Sequence, residues 1–234
     1  MEKKYALVTG TTGGIGGALA DLLLECGYEV LAPVRSVDKA KEYFGDKIGV
    51  HIEKVDLESQ ESVNEYLKSL LSRKMIPCLS MLTAGTFKWD SSYGFPSKEE
   101  NEQKSIIELK KINCGTKETF VNGFRQIFPQ EMLLTMDLLL VGSQAANFSE
   151  SDFRRRNEEG YVQSMKAVKA LGIWTESLGI FKSVSIDEPG LIDTPMARQE
   201  FNKDTIGEDP DWSKVVSPEN NAAVVLAKIG YLQK

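Results

Sequence analysis

Residues 5–16 read YALVTGTTGGIG, a short apolar run followed at once by a loop that contains four glycines. The run from Tyr5 to Thr9 has the length of a buried strand, and Gly10 ends it. Beyond the loop, the leucines of residues 18–26 recur at helical spacing, and Gly27 ends that pattern. The stretch therefore predicts a strand, a glycine-rich turn and a helix in direct succession.

The same alternation of strand-like and helix-like segments continues along the chain. Further strands are predicted at 29–34, 49–55, 77–82, 133–141 and 181–186, and further helices at 37–44, 59–72, 105–128, 161–179 and 217–228; the segments 86–104 and 191–216 are polar and loop-like. Strands that alternate with helices indicate a parallel sheet with helical crossovers. No internal repeat or linker-like break interrupts the pattern, so we expect one domain.

The glycine loop has the context of a phosphate-binding turn. Glycines between a strand and a helix let the backbone approach a pyrophosphate, whose charge is held by the N–H groups of the helix N-terminus. This predicts an α/β fold of the Rossmann type, a doubly wound parallel sheet of six or seven strands with helices on both faces. The predicted dinucleotide contacts in the loop are Gly10, Thr12, Gly14, Ile15 and Gly16.

The end of the second predicted strand distinguishes between two dinucleotides. An acidic residue there would hold the ribose hydroxyls of NAD. This chain has Val34-Arg35-Ser36 instead, and an arginine can pair with the 2′-phosphate of NADP through a charge-assisted fork. We therefore predict that Arg35 and Ser36 bind the cofactor and that NADP is preferred to NAD, although surface arginines at strand ends are common.

Composition excludes several other classes of protein. The 234 residues carry a net charge of −6, which does not suit a general nucleic-acid binder. The one histidine, His51, rules out multi-histidine metal sites, so no metal site is expected. Three widely spaced cysteines without a CxxC pair favour reduced thiols. With no apolar run of about 20 residues and no leader-like N-terminus, the expectation is a soluble cytoplasmic protein that does not bind membranes.

The spacing TGxxxGxG, rather than GxGxxG, resembles the short-chain dehydrogenase/reductase family. Six further segments are similar to motifs of that family and follow in the family's order. They are Asp56-Leu57, Thr83-Ala84-Gly85, Asn113, Gly142-Ser143-Gln144-Ala145-Ala146, Pro189 to Met196, and Ser217-Pro218-Glu219. Thr83 departs from the pattern, since the family has asparagine there. The resemblance covers most of the chain and implies that residues 1–234 form a single dinucleotide-binding catalytic domain.

The resemblance implies hydride transfer between a nicotinamide and a small carbonyl or alcohol. It assigns a substrate hydrogen bond to Ser143, general acid/base catalysis to Tyr161, and a water of the proton relay to Asn113. It also implies a homodimer or homotetramer. The cofactor contacts that it adds are Asp56, Leu57, Ala84, Gly85, Pro189, Gly190, Ile192 and Thr194.

One residue of the family pattern is missing. The family has a lysine four residues after the tyrosine, but the fourth residue after Tyr161 is Met165, and Lys166 is one residue late. One helical residue corresponds to a rotation of about 100°. Either the chain has lost efficient catalysis, or Lys166 serves as the catalytic lysine through a local irregularity. Tyr161 follows Ser143 by 18 residues, longer than the usual gap, and the arginine-rich insertion at 153–159 could produce that irregularity.

Three functions therefore stay open. The first is an NADP-dependent oxidoreductase that uses Ser143, Tyr161, Lys166 and Asn113. The second is a nucleotide-binding pseudoenzyme, a redox-sensing or partner-binding protein, because of Met165. The third is a sugar-nucleotide epimerase or dehydratase, which shares the catalytic residues. Only 44 residues follow Gly190, which leaves little room for the substrate domain of an epimerase.

Overall fold

A six-stranded parallel sheet organises the chain in a computed structural model that describes residues 3–88, 90–149, 158–201 and 211–231. The strand order is β3-β2-β1-β4-β5-β6, and every neighbouring pair is parallel. The strands are β1 (Tyr5–Val8), β2 (Glu29–Val34), β3 (Val50–Lys54), β4 (Pro77–Leu82), β5 (Asp137–Val141) and β6 (Ser183–Asp187). This confirms the predicted Rossmann-type sheet, with six strands in the described residues.

Helices cover both faces of the sheet and form two cores. One core contains side chains of the helices α3, α5 and α7, and the other contains side chains of α1, α2 and α9. The helices are α1 (Gly14–Glu25), α2 (Val37–Phe44), α3 (Gln60–Ser72), α4 (Lys98–Lys110), α5 (Thr116–Ile127), α6 (Gln130–Leu133), α7 (Glu159–Ser177), α8 (Pro195–Phe201) and α9 (Pro218–Lys228). The two cores make the sheet doubly wound, as predicted.

The helix predicted at 105–128 differs most from its observed form. Helix α4 begins at Lys98, within a charged run that reads as a loop, because Ser97 and Glu100 form a reciprocal capping box. The segment Lys111–Gly115 is a turn of π-helix that separates α4 from α5. Such insertions are frequent at functional sites.

Other predicted boundaries also need correction, among them 161–179 and 181–186, which are observed as Glu159–Ser177 and Ser183–Asp187. Helix α1 begins at Gly14, four residues before the predicted start at Ala18, because small residues there pack where larger ones would collide. The predicted strand 133–141 begins only at Asp137, since its first residues belong to α6 and the turn after it. The loop 191–216 contains helix α8, and the arginines at 154–156 lie outside the described residues.

From β1 the chain continues to β2 and β3 on one side of the sheet, and from β4 it continues to β5 and β6 on the other side. The strand order therefore reverses between the neighbouring strands β1 and β4. Ligands of doubly wound proteins bind at the carboxyl ends of the strands beside such a switch point. Within the described residues, no helix has the length and apolar character needed to span a membrane.

Candidate active site

A cleft of about 1080 Å³ lies along the carboxyl ends of the central strands. Its volume is at the upper end of the range of roughly 300–1,000 Å³ that is usual for small-molecule and cofactor sites. The cleft is lined by the glycine loop, by the segments that follow β2, β4 and β5, by the start of α7 and by the segment 189–197. All segments that the sequence analysis assigned to the cofactor contribute to its wall, although not every residue of them does.

The glycine loop is closed tightly at one end of the cleft. Gly10 has a φ of +69°, which favours glycine, and its carbonyl oxygen accepts the N–H of Gly13 at 2.9 Å. A Cβ at Gly16 would lie 2.4 Å from that same oxygen, so no larger residue fits there. The N-cap residue of helix α1 is Gly13, which has no side chain that could cap the helix. The helix begins at the cleft wall. These features fit the pyrophosphate of a dinucleotide.

Two basic side chains line the cleft just beyond β2. Arg35 is exposed at the strand end, and Lys39 lies one turn later on α2. Neither has an acidic partner within the described residues. Ser36 also lines the cleft, but its hydroxyl caps α2 by accepting the N–H of Lys39 at 3.3 Å. The pair of cations fits a phosphate group at this end.

The segment after β3 contributes fewer of its predicted residues to the cleft wall than the other segments do. Leu57 lines the cleft together with Glu58, whose carboxylate is paired with Lys111 at 2.8 Å. Asp56 does not line the cleft among the described residues. Its carboxylate instead accepts the N–H of Glu58 at 3.0 Å, which shapes the turn that presents Leu57.

At the other end of the cleft, the side chains of Ser143 and Tyr161 line the same wall, and Ser143 acts on the pKa of the tyrosine hydroxyl. Ser143 lies directly after β5, and Tyr161 is the third residue of α7. The ring of Phe87 packs edge-on against the tyrosine ring, with their centroids 4.8 Å apart. Burial raises the pKa of Tyr161, Ser143 opposes that rise, and the carboxylate of Glu158 adds to it. The hydroxyl therefore retains its proton at neutral pH and can act as an acid.

A buried carboxylate fixes the helix that carries Tyr161. Asp90 is fully buried and accepts the backbone N–H groups of Glu159 at 2.7 Å and Gly160 at 3.1 Å. These are the first residues of α7, so Asp90 acts as its N-terminal cap from a distant part of the chain. Burial raises the pKa of Asp90, although its hydrogen bonds oppose the change.

Neither side chain at positions 165 and 166 lines the cleft in the described part of the chain. Met165 is 5% exposed and packs with Ala145, Ala146 and Val162, beside Tyr161. Lys166 is half-buried, and its charge acts on Glu159, two turns earlier on the same helix. Position 165 therefore supplies packing, and α7 shows no irregularity that turns Lys166 into the cleft.

Asn113 lies just beneath the cleft, in the π-helical turn. Its side-chain amide brackets Thr86, accepting that residue's N–H at 2.6 Å and donating to its carbonyl oxygen at 2.9 Å. The same nitrogen donates to Ser164 at 2.9 Å, and Ser164 donates to the carbonyl oxygen of Tyr161 at 2.7 Å. Asn113 thus joins the segment after β4 to the helix of Tyr161.

The strand-end segments after β4 and β6 complete the wall. The backbone N–H of Ala84 bonds to Thr9 at 3.0 Å, and the hydroxyl of Thr83 donates to the carbonyl of the same threonine, which ties the Ala84-Gly85 turn to the glycine loop. Thr194 contacts the loop at Gly14, where a Cβ would lie 2.5 Å from its methyl group. The remaining predicted contacts, Pro189, Gly190 and Ile192, also line the cleft.

Several residues around the cleft were not anticipated from the sequence. Phe87, Glu158 and Lys39 line it, and Asp90 and Lys117 lie behind it. The sequence pattern could have indicated Lys117, because this lysine lies four residues after Asn113 and interrupts an apolar stripe of the helix. Asp90 lies in a polar loop without periodicity, so nothing in the pattern indicates its partner 69 residues later.

The fold and the cleft together define a doubly wound α/β protein of the Rossmann class. The model of the NAD dependent epimerase/dehydratase family matches residues 6–85, the N-terminal third of the chain, which contains the glycine loop. Over 235 aligned residues, 96% of this chain and 90% of the relative, the chain is 23% identical to an acetoacetyl-CoA reductase of Acinetobacter sp. (strain RA3849). In sequence, the chain is therefore similar to oxidoreductases of the short-chain dehydrogenase/reductase type.

Solved structures show the same fold. An alcohol dehydrogenase from Thermococcus sibiricus, complexed with 5-hydroxy-NADP, superimposes with a TM-score of 0.74 at 21% identity, over 100% of this chain and 99% of that chain. A short-chain dehydrogenase/reductase from Vibrio parahaemolyticus gives 0.73 at 21% identity, over 95% and 89%.

Proposed function

We propose that the chain is an NADP-dependent reductase of small carbonyl compounds, with Tyr161 as general acid and Ser143 as the partner that orients the substrate oxygen. The observation that carries this proposal is that Ser143 and Tyr161 line one cleft together with the glycine loop. A bound nicotinamide would supply the hydride. We also propose that residues 1–234 act as one catalytic domain, whereas a cytoplasmic homodimer or homotetramer stays a prediction from the sequence.

The chain's own residues would act as follows. Ser143 donates a hydrogen bond to the carbonyl oxygen and holds it beside the hydroxyl of Tyr161. Tyr161 then releases its proton to that oxygen, and the phenolate regains a proton from water. Phe87 and Ala145 exclude water from the tyrosine ring, and Asp90 keeps the first turn of α7 in place.

The preference for NADP is proposed on the pair Arg35 and Lys39, which would hold a 2′-phosphate. We expect NADPH to bind more tightly than NADH, and Arg35→Gln to weaken NADPH binding by about 10- to 100-fold, since a charge-assisted hydrogen bond contributes roughly 1.5–3 kcal/mol. NADH binding should change by less than about twofold. Titrations followed by nicotinamide fluorescence measure both affinities.

The matched control for this substitution is Lys41→Gln, which removes a charge from an exposed position of α2 outside the cleft wall. Its NADPH affinity should equal that of the original protein. Equal affinities of the original protein for NADPH and NADH would reject a 2′-phosphate site at Arg35.

A pseudoenzyme is the second candidate, and the packing of Met165 favours it. If the chain binds a dinucleotide without turning over substrate, Met165→Lys should create activity by placing a cation one turn after Tyr161. Under the reductase proposal, the original protein is active and Met165→Lys loses stability, because the new ammonium enters a site that is 5% exposed. Carbonyl reduction and thermal unfolding are measured on both proteins, over a panel that includes acetoacetyl-CoA.

A matched Met165→Leu variant separates loss of packing from burial of charge, and we expect it to retain activity and most of the stability. Activity in Met165→Lys alone would support the pseudoenzyme and contradict the reductase.

A further inference from the structure

The two ends of the cleft differ in charge. In the described part of its wall, the charged side chains are those of Arg35, Lys39, Glu58 and Glu158. The first three belong to the segments after β2 and β3, at the end proposed for the 2′-phosphate. At the other end, beside Tyr161, the charged residue of the described wall is therefore a carboxylate, that of Glu158.

Capping of helix α7 does not explain why position 158 carries glutamate. Glu158 is the N-cap residue of α7, but its side chain makes no cap hydrogen bond. The N–H groups of Glu159 and Gly160 are instead bound by Asp90. Serine, threonine, aspartate and asparagine are the residues that suit an N-cap. Glu158 is only 7% exposed, and burial of a carboxylate is unfavourable, so its place in the cleft wall calls for another explanation.

The charge of Glu158 acts on the hydroxyl group of Tyr161. Burial raises the pKa of that hydroxyl, and the carboxylate of Glu158 raises it further. A negative charge at this place opposes the loss of the phenolic proton, which the proposed reaction requires. Position 165 offers no opposite charge, since Met165 packs with Ala145 in a small apolar cluster. In the described wall, no lysine or arginine lines the Tyr161 end.

A substrate with a positive charge of its own would suit this end of the cleft. An ammonium group beside Glu158 would form a charge-assisted hydrogen bond with the carboxylate. It would also stabilise the phenolate that Tyr161 becomes when its proton leaves. The apolar rings of Phe87 and Phe148 line the same end, where Phe87 packs edge-on against Tyr161, so a hydrocarbon part of the substrate would have a surface to contact.

We propose that the substrates of the reductase are carbonyl compounds with an ammonium group close to the carbonyl, and that Glu158 is the residue that selects them. The inference rests on the proposed function. The carbonyl carbon gains a hydride from the bound nicotinamide and the oxygen gains the proton of Tyr161, while the ammonium group keeps its protons. The product is an amino alcohol. The substrate thereby brings to Tyr161 the positive charge that Met165 does not provide.

The first test compares three ketones that share a phenyl ring and a carbonyl group but differ in charge. Phenacylamine is a cation at about pH 6.5, because its amine resembles an α-amino group. Phenacyl alcohol is neutral and benzoylformate is an anion. In NADPH-dependent reduction, kcat/KM should be at least about tenfold higher for phenacylamine than for phenacyl alcohol, and lowest for benzoylformate. Equal values for the first two, or a preference for benzoylformate, would overturn the proposal.

The same assay on Glu158→Gln tests the residue itself, since this substitution keeps the size of the side chain and removes its charge. It should lower kcat/KM for phenacylamine by at least about tenfold without lowering that for phenacyl alcohol. Glu159→Gln is the matched control, because it removes the next carboxylate along the chain, which lies outside the cleft wall. That variant should keep the original preference. A preference for phenacylamine that survives in Glu158→Gln would contradict the role of Glu158.

The second test needs no turnover, so it separates this proposal from the proposed function. Calorimetric titrations with phenethylamine and phenethyl alcohol are made with and without NADP. Phenethylamine should bind at least about tenfold more tightly, and Glu158→Gln should remove the difference. Equal affinities would overturn the inference even in an active reductase. Selective binding of the amine through Glu158, in a protein that reduces none of the ketones, would refute the proposed reduction and leave Glu158 as the ammonium site.

Discussion

Replacement of Tyr161 by phenylalanine is expected to slow carbonyl reduction by about 10²- to 10⁴-fold. The substitution removes one hydroxyl group and leaves the ring, which packs against Phe87 with centroids 4.8 Å apart. Helix α7 should therefore keep its position, and NADPH affinity should change by no more than a few fold. The loss falls on kcat, because the proton donor acts in the chemical step and the cofactor is held mainly at the other end of the cleft.

The measurement is steady-state reduction at saturating NADPH, combined with a fluorescence titration of cofactor binding. Tyr93→Phe is the matched control, since it removes a tyrosine hydroxyl that lies outside the cleft wall. Its rate should equal that of the original protein. Residual activity in Tyr161→Phe above about a tenth of the original rate would contradict the assignment of Tyr161 as the acid.

The parts of this site that are local in sequence were predictable. The glycine loop, Arg35 and the end of β4 are short segments whose function depends on backbone geometry within a few residues, so their spacing carries the information. The boundaries of β2 and β4 were also correct to the residue, since apolar runs ended by charged or small residues mark strands clearly.

The turn Lys111–Gly115 could not be predicted in the same way. One additional residue in a helix changes neither composition nor hydrophobic pattern enough to be seen, yet it rotates everything that follows. Asn113 lies within that turn and bonds across to Thr86 and Ser164. Its position therefore depends on tertiary contacts that come from far along the chain.

The lysines at positions 166 and 117 show the same limit of prediction from sequence. The sequence suggests Lys166 as a replacement for the missing lysine, but Lys166 lies near Glu159 and away from the cleft wall. Lys117 approaches the cleft from another helix, 44 residues earlier, through contacts with Ala84 and Asn113. A side chain that contacts the wall of a site can come from any element packed against it, so spacing along one helix does not find it.

The second large effect is expected at Gly160, where α7 crosses α4. A Cβ at this position would lie 1.9 Å from Oγ, 2.5 Å from Cβ and 2.6 Å from the backbone carbon of Ser105. Since backbone atoms are among the obstacles, Gly160→Ala must displace the first turn of α7. We expect it to lower the free energy of unfolding by about 3 kcal/mol. Activity should also fall, because Tyr161 is the next residue and Asp90 holds the N–H of Gly160 at 3.1 Å.

Gly115→Ala makes the same glycine-to-alanine substitution at a position where a Cβ atom has space. The only atom of the described chain near a Cβ there is the carbonyl oxygen of Lys110, 3.8 Å away. Because alanine favours helical backbone over glycine, this variant should gain up to about 1 kcal/mol. Urea unfolding of both proteins gives the comparison. Ser105→Gly should restore only part of the stability lost in Gly160→Ala, since the backbone contact remains, and full restoration would mean that the side chain of Ser105 is the sole obstacle.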